Sequence, residues 1–193
     1  SDLTVDLYPN AYIVEKTINF LERHARGDCG NKPFYIHCSF PDPHHPLNPP
    51  GKYKNMYKPE DIKLPENFDD LENLYNHPFL KDNINVMPNA MLRETNEKEL
   101  RKFIAYTYGI ITLLDDSIGQ ILSAIEKLGY SENTIVVYTS DHGDLMGEHG
   151  MLFKGPSPFN GVLQVPMIWK VPKMTKPSVT DSLISSIDYP TTI

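Results

Sequence analysis

A long amphipathic helix that leads directly into a strand constrains the fold of this chain most. Apolar residues recur at helical spacing over residues 97–128, Asn96 and Glu99 form a capping box at the start, and Gly129 suits a left-handed residue after the last turn. The strand candidate TIVVYTS, residues 134–140, is rich in β-branched residues without alternation, as expected for a strand covered on both faces. A helix joined to such a strand is typical of an α/β domain.

Three shorter segments complete the predicted order of elements. Residues 11–24 have the spacing of an amphipathic helix that ends near Gly27. FYIHCSF at 34–40 and VPMIWKV at 165–171 are short aromatic and β-branched runs that indicate strands. The resulting order predicts an α/β fold with a largely parallel sheet flanked by helices. In such sheets, ligands bind beyond the carboxyl ends of the strands.

Composition limits the class of protein and its partners. The chain has 193 residues, 40% of them hydrophobic, which is enough for one sizeable core. Its formal net charge of −7 argues against binding to nucleic acid, because phosphate backbones are bound by clustered Lys and Arg. No apolar run approaches the roughly 20 residues of a membrane-spanning helix. Because the net charge is negative, an anionic substrate would need a local cation or a metal.

The cysteines and prolines limit which structures the first half of the chain can form. Cys29 and Cys38 are too few for a disulfide framework or a four-cysteine zinc site. The 17 prolines concentrate between Pro41 and Pro88, where they would interrupt regular elements. Residues 41–95 are therefore interpreted as a proline-rich excursion within the domain.

The most distinctive polar stretch is TSDHGDLMGEHG, residues 139–150, which overlaps the end of the predicted strand at 134–140. Asp141 and His142 leave the strand where successive side chains can turn toward one centre, and an oxygen with an imidazole nitrogen suits a divalent cation. The alternative is a strand-end Asp that caps a turn, with His142 packed or solvated. The spacing is neither that of an EF-hand nor that of HExxH.

Lys154 and the histidines of PDPHHP are further candidates. Lys154 lies in a loop and either provides the local cation for an anionic substrate or is a solvated surface lysine. His44 and His45, between Pro43 and Pro46, supply a candidate general acid, although one such histidine alone is more often structural. Because both histidine-rich stretches follow predicted strands, we expect them to meet at one edge of the sheet.

Several segments together resemble the sulfatase family of the alkaline-phosphatase-like superfamily. SDHGDLMGEHGMLFKG followed by VPMIWKVP resembles its second metal-and-substrate segment, and SFPDPHHPLNPP resembles its His-x-Pro segment. LDD at 114–116, followed by GYSENTIVVYTSDHG, resembles the helix and turn that join the two. The resemblance extends from Pro33 to Asp188. It implies an incomplete alkaline-phosphatase-like fold, in which residues 1–193 are the C-terminal portion of a single sulfatase catalytic domain.

The resemblance also implies roles for individual residues. Asp141 and His142 would ligate a divalent ion, calcium in most sulfatases, with manganese as the other candidate. Lys154 would hold an oxygen of the sulfate. His44 would contact the sulfate ester and assist the leaving oxygen, whereas His45 receives no catalytic role.

The chain departs from the family pattern at the nucleophile. Sulfatases use a formylglycine made from the Cys or Ser of a C/S-x-P-x-R motif, together with an earlier Asp-Asp pair on the metal. Neither Cys29 nor Cys38 begins such a motif, and Asp69 and Asp70 lie in the excursion and are not assigned as ligands. His149 receives no catalytic role either. The nucleophile and the first Asp pair are therefore expected upstream, and this chain alone is expected to be inactive and to bind calcium weakly.

The implied function is the hydrolysis of sulfuric esters. In the intact enzyme the hydrated aldehyde would attack sulfur, the metal and Lys154 would offset charge on the sulfuryl oxygens, and protonation would help the alcohol leave. A phosphonate or phosphodiester hydrolase of the same superfamily is the alternative hypothesis, and a noncatalytic binding domain that retains the fold is the third. The substrate, the oligomeric state and the cellular location stay open.

Overall fold

The computed structural model describes residues 4–30, 32–78, 96–154, 159–174 and 176–192. Short 3-10 helices connect some of the elements. In chain order the helices and strands are α1 (Pro9–Ala25), α2 (Leu71–Tyr75), α3 (Glu97–Lys127), β1 (Val136–Thr139), α4 (Asn160–Leu163), β2 (Met167–Lys170) and α5 (Tyr189–Thr192).

Helix α3 has the ends that its sequence predicts. The Asn96 side chain accepts a hydrogen bond from the backbone N–H of Glu99 at 3.0 Å, which satisfies one of the unpaired donors of the first turn. Gly129 follows the helix with φ of +78°, a conformation that glycine adopts at little cost. Helix α1 also forms where the spacing predicts it and packs along α3. None of the described helices is long and apolar enough to cross a membrane.

The excursion packs directly on α3. Gly109 allows this contact, because a Cβ atom there would lie 2.4 Å from the Tyr53 carbonyl oxygen. A core cluster of buried side chains joins the excursion, α3 and the loop after β1; its members are Ile62, Phe68, Leu100, Ile104, Ala105 and Leu152. This cluster therefore fixes the loop after β1 to the helical layer. The remainder of the predicted excursion, residues 79–95, lies outside the described residues.

Strands β1 and β2 form where the β-branched runs predict strands, and they pair antiparallel. Val136 lies opposite Lys170, and Thr139 lies opposite Met167. This pair is the whole sheet among the described residues. The loop between the strands returns the chain beside β1 in the opposite direction. The largely parallel sheet stays a prediction.

The predicted strand at 34–40 is an extended segment that belongs to no sheet in the described part of the chain. Its residues alternate between half-buried and exposed, as a strand covered on one face would. The covered face packs on α1, where Thr17 Oγ1 lies 3.3 Å from Cys38 Sγ and the Phe20 and Phe34 rings meet edge to face. The prediction of a buried strand is therefore wrong for the described residues, because no second strand lies beside this segment.

Candidate active site

Asp141 and His142 lie just beyond the carboxyl end of β1, and their side chains face each other. The His142 backbone N–H donates to Asp141 Oδ1 at 2.9 Å, and His142 Nε2 lies 3.6 Å from Asp141 Oδ2. The Asp141 side chain is 84% exposed, and the His142 side chain is 38% exposed. The two residues therefore share one open side of the loop and are not buried in an apolar core.

Local hydrogen bonds fix the orientation of both side chains. Partial burial alone would raise the pKa of Asp141, but the backbone hydrogen bond from His142, and the positive charge of the His142 ring when it is protonated, hold that pKa below its usual value. His142 Nδ1 lies 2.8 Å from the Gly143 carbonyl oxygen, which can only accept, so Nδ1 carries the proton. In the neutral ring, Nε2 then has its lone pair free on the side of Asp141. Ligating histidines commonly have this arrangement.

Gly143 fixes this loop against α4. Its N–H donates to the Val162 carbonyl oxygen at 2.8 Å, and a Cβ atom at Gly143 would lie 1.9 Å from the Gly161 carbonyl oxygen. Glu148 Oε2 accepts from the Gly161 N–H at 3.0 Å and holds the other side of the contact. A glycine directly after the predicted ligand pair is therefore required by close backbone packing.

Two loops meet around Phe153, the loop after β1 and the segment of His44 and His45. The Leu145 N–H, in the loop after β1, donates to the Phe153 carbonyl oxygen at 2.7 Å. The Phe153 ring packs on the His45 ring with centroids 4.6 Å apart, and His45 stacks on His44 at 4.2 Å. Half-buried Lys154 follows Phe153 directly. The loop after β1, which carries both the Asp141–His142 pair and Lys154, thus contacts the segment of His44 at this junction.

His44 itself is exposed at this junction. Its backbone N–H donates to the Pro41 carbonyl oxygen at 3.0 Å and closes a turn, and its Nδ1 donates to the His45 carbonyl oxygen at 2.7 Å. A cavity of about 360 Å³ beside the junction is lined by His45, Phe153 and the start of α3, with His44 outside its lining. The observed cavity is thus bordered by His45 and not by His44. A cavity shared by His44, Lys154 and Asp141 stays a prediction.

The predicted cation site has two candidate ligands in this chain, Asp141 and His142. No group of three or more His, Cys, Asp or Glu side chains suited to a metal occurs in the described part of the chain. A carboxylate and an imidazole are both side-chain types that commonly ligate divalent cations. Further ligands would have to come from elsewhere.

His149 is held by contacts to the excursion and to Phe159. Its Nδ1 donates to Asp70 Oδ2 at 3.1 Å, and its Nε2 lies 3.2 Å from Asn67 Nδ2. The ring also packs against Phe159. These contacts attach the loop after β1 to the excursion, and they also explain the position of Asp70, which the sequence left unassigned.

For two residues near the site, the sequence gives no sign of the part they play in the structure. Phe153 gave no signal, because a lone aromatic in a loop predicts nothing about which loops it joins. Asp42, two residues before His44, is the other: Tyr8 Oη donates to its Oδ1 at 3.2 Å. An acid close to a candidate histidine was the only available hint.

Comparison with known proteins gives consistent matches. The family model described as Sulfatase matches residues 8–193. An arylsulfatase from Clostridium perfringens (strain 13 / Type A) is 37% identical over 161 residues, which cover 83% of this chain and 31% of that protein. A multifunctional alkaline phosphatase superfamily protein, PehA of Trinickia caryophylli, is 30% identical over 156 residues, covering 75% of this chain and 29% of that protein.

The fold also resembles solved structures. The crystal structure of the phosphonate monoester hydrolase of Agrobacterium radiobacter matches with a TM-score of 0.72 and 26% identity. The match covers 86% of this chain and 34% of the hydrolase. The chain thus spans about a third of the length of each of these three proteins.

Proposed function

This chain belongs to the sulfatase family, whose model matches residues 8–193, and from that premise we propose that the whole protein is a sulfuric ester hydrolase. The observation that carries the proposal is the junction at Phe153, where the segments bearing His44, Lys154 and the Asp141–His142 pair meet. The alkaline-phosphatase-like fold with a largely parallel sheet is part of the same proposal for the whole protein.

Asp141 and His142 are proposed as two ligands of a divalent cation, with calcium as the first candidate and manganese as the second. The lowered pKa of Asp141 and the free Nε2 of His142 support this assignment. A bound cation would supply positive charge beside the sulfuryl oxygens. Because calcium takes roughly six to eight oxygen ligands, this chain alone should bind it weakly.

Lys154 and His44 are proposed to act on the substrate itself. The Lys154 ammonium group would hold a sulfuryl oxygen and offset the charge that develops there. In protonated His44, Nδ1–H stays bonded to the His45 carbonyl oxygen while Nε2–H can give its proton to the leaving alcohol oxygen. The nucleophile, a formylglycine by family likeness, is proposed to come from another part of the whole protein, so the chain alone should be inactive.

The decisive experiment measures hydrolysis of an aryl sulfate by the whole protein. We expect turnover by the wild type and a loss of kcat/KM of about 10²-fold or more in Lys154→Ala, because one preorganised charge is lost. Lys170→Ala, an exposed lysine of β2, is the matched control and should stay within about twofold of the wild type. Equal losses in the two variants would refute the role of Lys154.

A phosphonate or phosphodiester hydrolase is the second candidate. The likeness to the phosphonate monoester hydrolase, at 26% identity, favours keeping it. The same proteins assayed with a phosphonate monoester separate the two, since a higher kcat/KM on that ester than on the sulfate would reverse the assignment. A noncatalytic binding domain would turn over neither ester.

A further inference from the structure

A partly buried polar cluster lies where the segment of His44 meets the start of α1. It consists of Tyr8, Asn10 and Asp42. The Tyr8 hydroxyl donates to Asp42 Oδ1 at 3.2 Å. The Asn10 side chain is 0% exposed, and neither its Nδ2 nor its Oδ1 has a hydrogen-bond partner among the described residues. Asp42 Oδ2 is likewise buried without a partner there.

The orphan atoms of this cluster are complementary. An unpaired buried polar group costs its desolvation free energy, so native proteins satisfy such groups, commonly with internal water. Asn10 Nδ2 can donate and Asp42 Oδ2 can accept, and Asn10 lies close enough to lower the pKa of Asp42, so a small shift of either side chain joins them directly. Burial nevertheless keeps the pKa of Asp42 above its usual value, against the lowering effect of Tyr8 and Asn10.

The cluster holds the turn that places His44. The turn runs from Pro41 to His44 and is closed by the hydrogen bond between them, with Asp42 as its second residue. Tyr8 and Asn10 flank Pro9, the first residue of α1, and α1 is fixed along α3. The contact between Tyr8 and Asp42 therefore fixes the backbone of His44 relative to α1.

We propose that Asp42 is a positioning residue for His44, which it holds in place through Tyr8 and Asn10. Asp42 does not touch the substrate; it fixes the turn against α1. This inference rests on the proposed function, in which His44 gives a proton to the leaving alcohol. A misplaced His44 then impairs poor leaving groups most, since these need the proton.

The test is a double-mutant cycle in the whole protein. Asp42→Asn should lower kcat about tenfold or more for a sulfate ester with a poor leaving group, and about threefold or less for one with a good leaving group. In a His44→Ala background the same substitution should cost less than about twofold, because its effect passes through His44. Tyr8→Phe, which removes only one hydroxyl, should show the same selectivity if Asp42→Asn does not fold.

Thr17→Val is the matched control. Thr17 lies in the same helix and contacts Cys38, on the segment that leads into the turn, so this variant weakens the packing without touching the cluster. It should show no dependence on the leaving group. A loss in Asp42→Asn that is equal for all esters, or that persists in full without His44, would make the cluster merely structural and overturn the proposal.

Crystal structures of the whole wild-type protein and of Asp42→Asn provide a readout independent of activity. We expect Asn10 Nδ2 within hydrogen-bond distance of Asp42 in the wild type, and a displacement of the His44 ring by more than about 0.5 Å in the variant. An unmoved ring would refute the positioning role. Absence of sulfatase activity in the wild type would refute the proposed function alone, so the two failures are distinguishable.

Discussion

Replacing Gly109 in α3 with Ala should destabilise the protein, although this exchange in a helix interior ordinarily stabilises. The ordinary gain comes from the lower conformational entropy of Ala in the unfolded chain. At Gly109 a Cβ atom would meet the Tyr53 carbonyl oxygen at 2.4 Å and the carbonyl carbon at 3.3 Å. These are backbone atoms, so a change of rotamer does not relieve the overlap.

Tyr53 has little freedom to move away. Its side chain is 4% exposed, and its hydroxyl donates to Asp116 Oδ2 at 2.6 Å on the same helix. Overpacking of this kind costs about 1–3 kcal/mol, against a propensity gain of about 0.5–1 kcal/mol. We therefore expect Gly109→Ala to lower the free energy of unfolding by about 1–2 kcal/mol.

Gly119 is the matched control on the same helix. It is exposed, and a Cβ atom there would have no other atom within 4 Å. Gly119→Ala should raise the free energy of unfolding by about 0.5–1 kcal/mol. Guanidinium denaturation followed by circular dichroism measures both variants. A Gly109→Ala protein as stable as Gly119→Ala would refute the packing argument.

Three further outcomes follow from contacts described above. Asn96→Ala should lower the free energy of unfolding by about 1 kcal/mol in the same assay, because it removes the cap of α3. Burial and the Asp42 carboxylate raise the pKa of Tyr8 to about 12; the stabilisation from this shift is complete below the unfolded tyrosine pKa and is lost as the pH rises through the folded value. Compared with the wild type, the Tyr8→Phe protein should therefore show a smaller change in ultraviolet absorbance near pH 12. A smaller change near pH 10 instead would contradict the burial argument. Asp141→Asn should weaken calcium binding by the whole protein about tenfold or more in calorimetry, whereas exposed Asp115→Asn should not, and equal affinities would exclude Asp141 as a ligand.

Features fixed by nearby residues were predictable from the sequence. The cap at Asn96, the left-handed Gly129 and the bounds of α1 and α3 depend on residues within one or two helical turns. The structure has the cap and Gly129 as predicted, and α1 (Pro9–Ala25) and α3 (Glu97–Lys127) close to the predicted 11–24 and 97–128. Pairing in a sheet depends on distant residues. The antiparallel order of β1 and β2 therefore had no local signal, and the missing partner of residues 34–40 had none either.

The candidate site divides in the same way. The shared open side of Asp141 and His142 follows from their place beyond a strand end, which the sequence shows. The junction at Phe153 and the buried cluster at Asp42 depend on packing between loops far apart in sequence, where a single residue type carries little information. Residues that join loops are thus harder to predict than residues that carry chemistry.

The extended segment at 34–40 has a consequence for handling the chain alone. No ladder covers its backbone in the described part of the chain, and Tyr35 is 78% exposed. An uncovered extended backbone is a template for a strand from another molecule. In a solution of the isolated 193 residues, self-association should therefore grow with concentration and begin at this segment, and a charged residue in place of Tyr35 should suppress it.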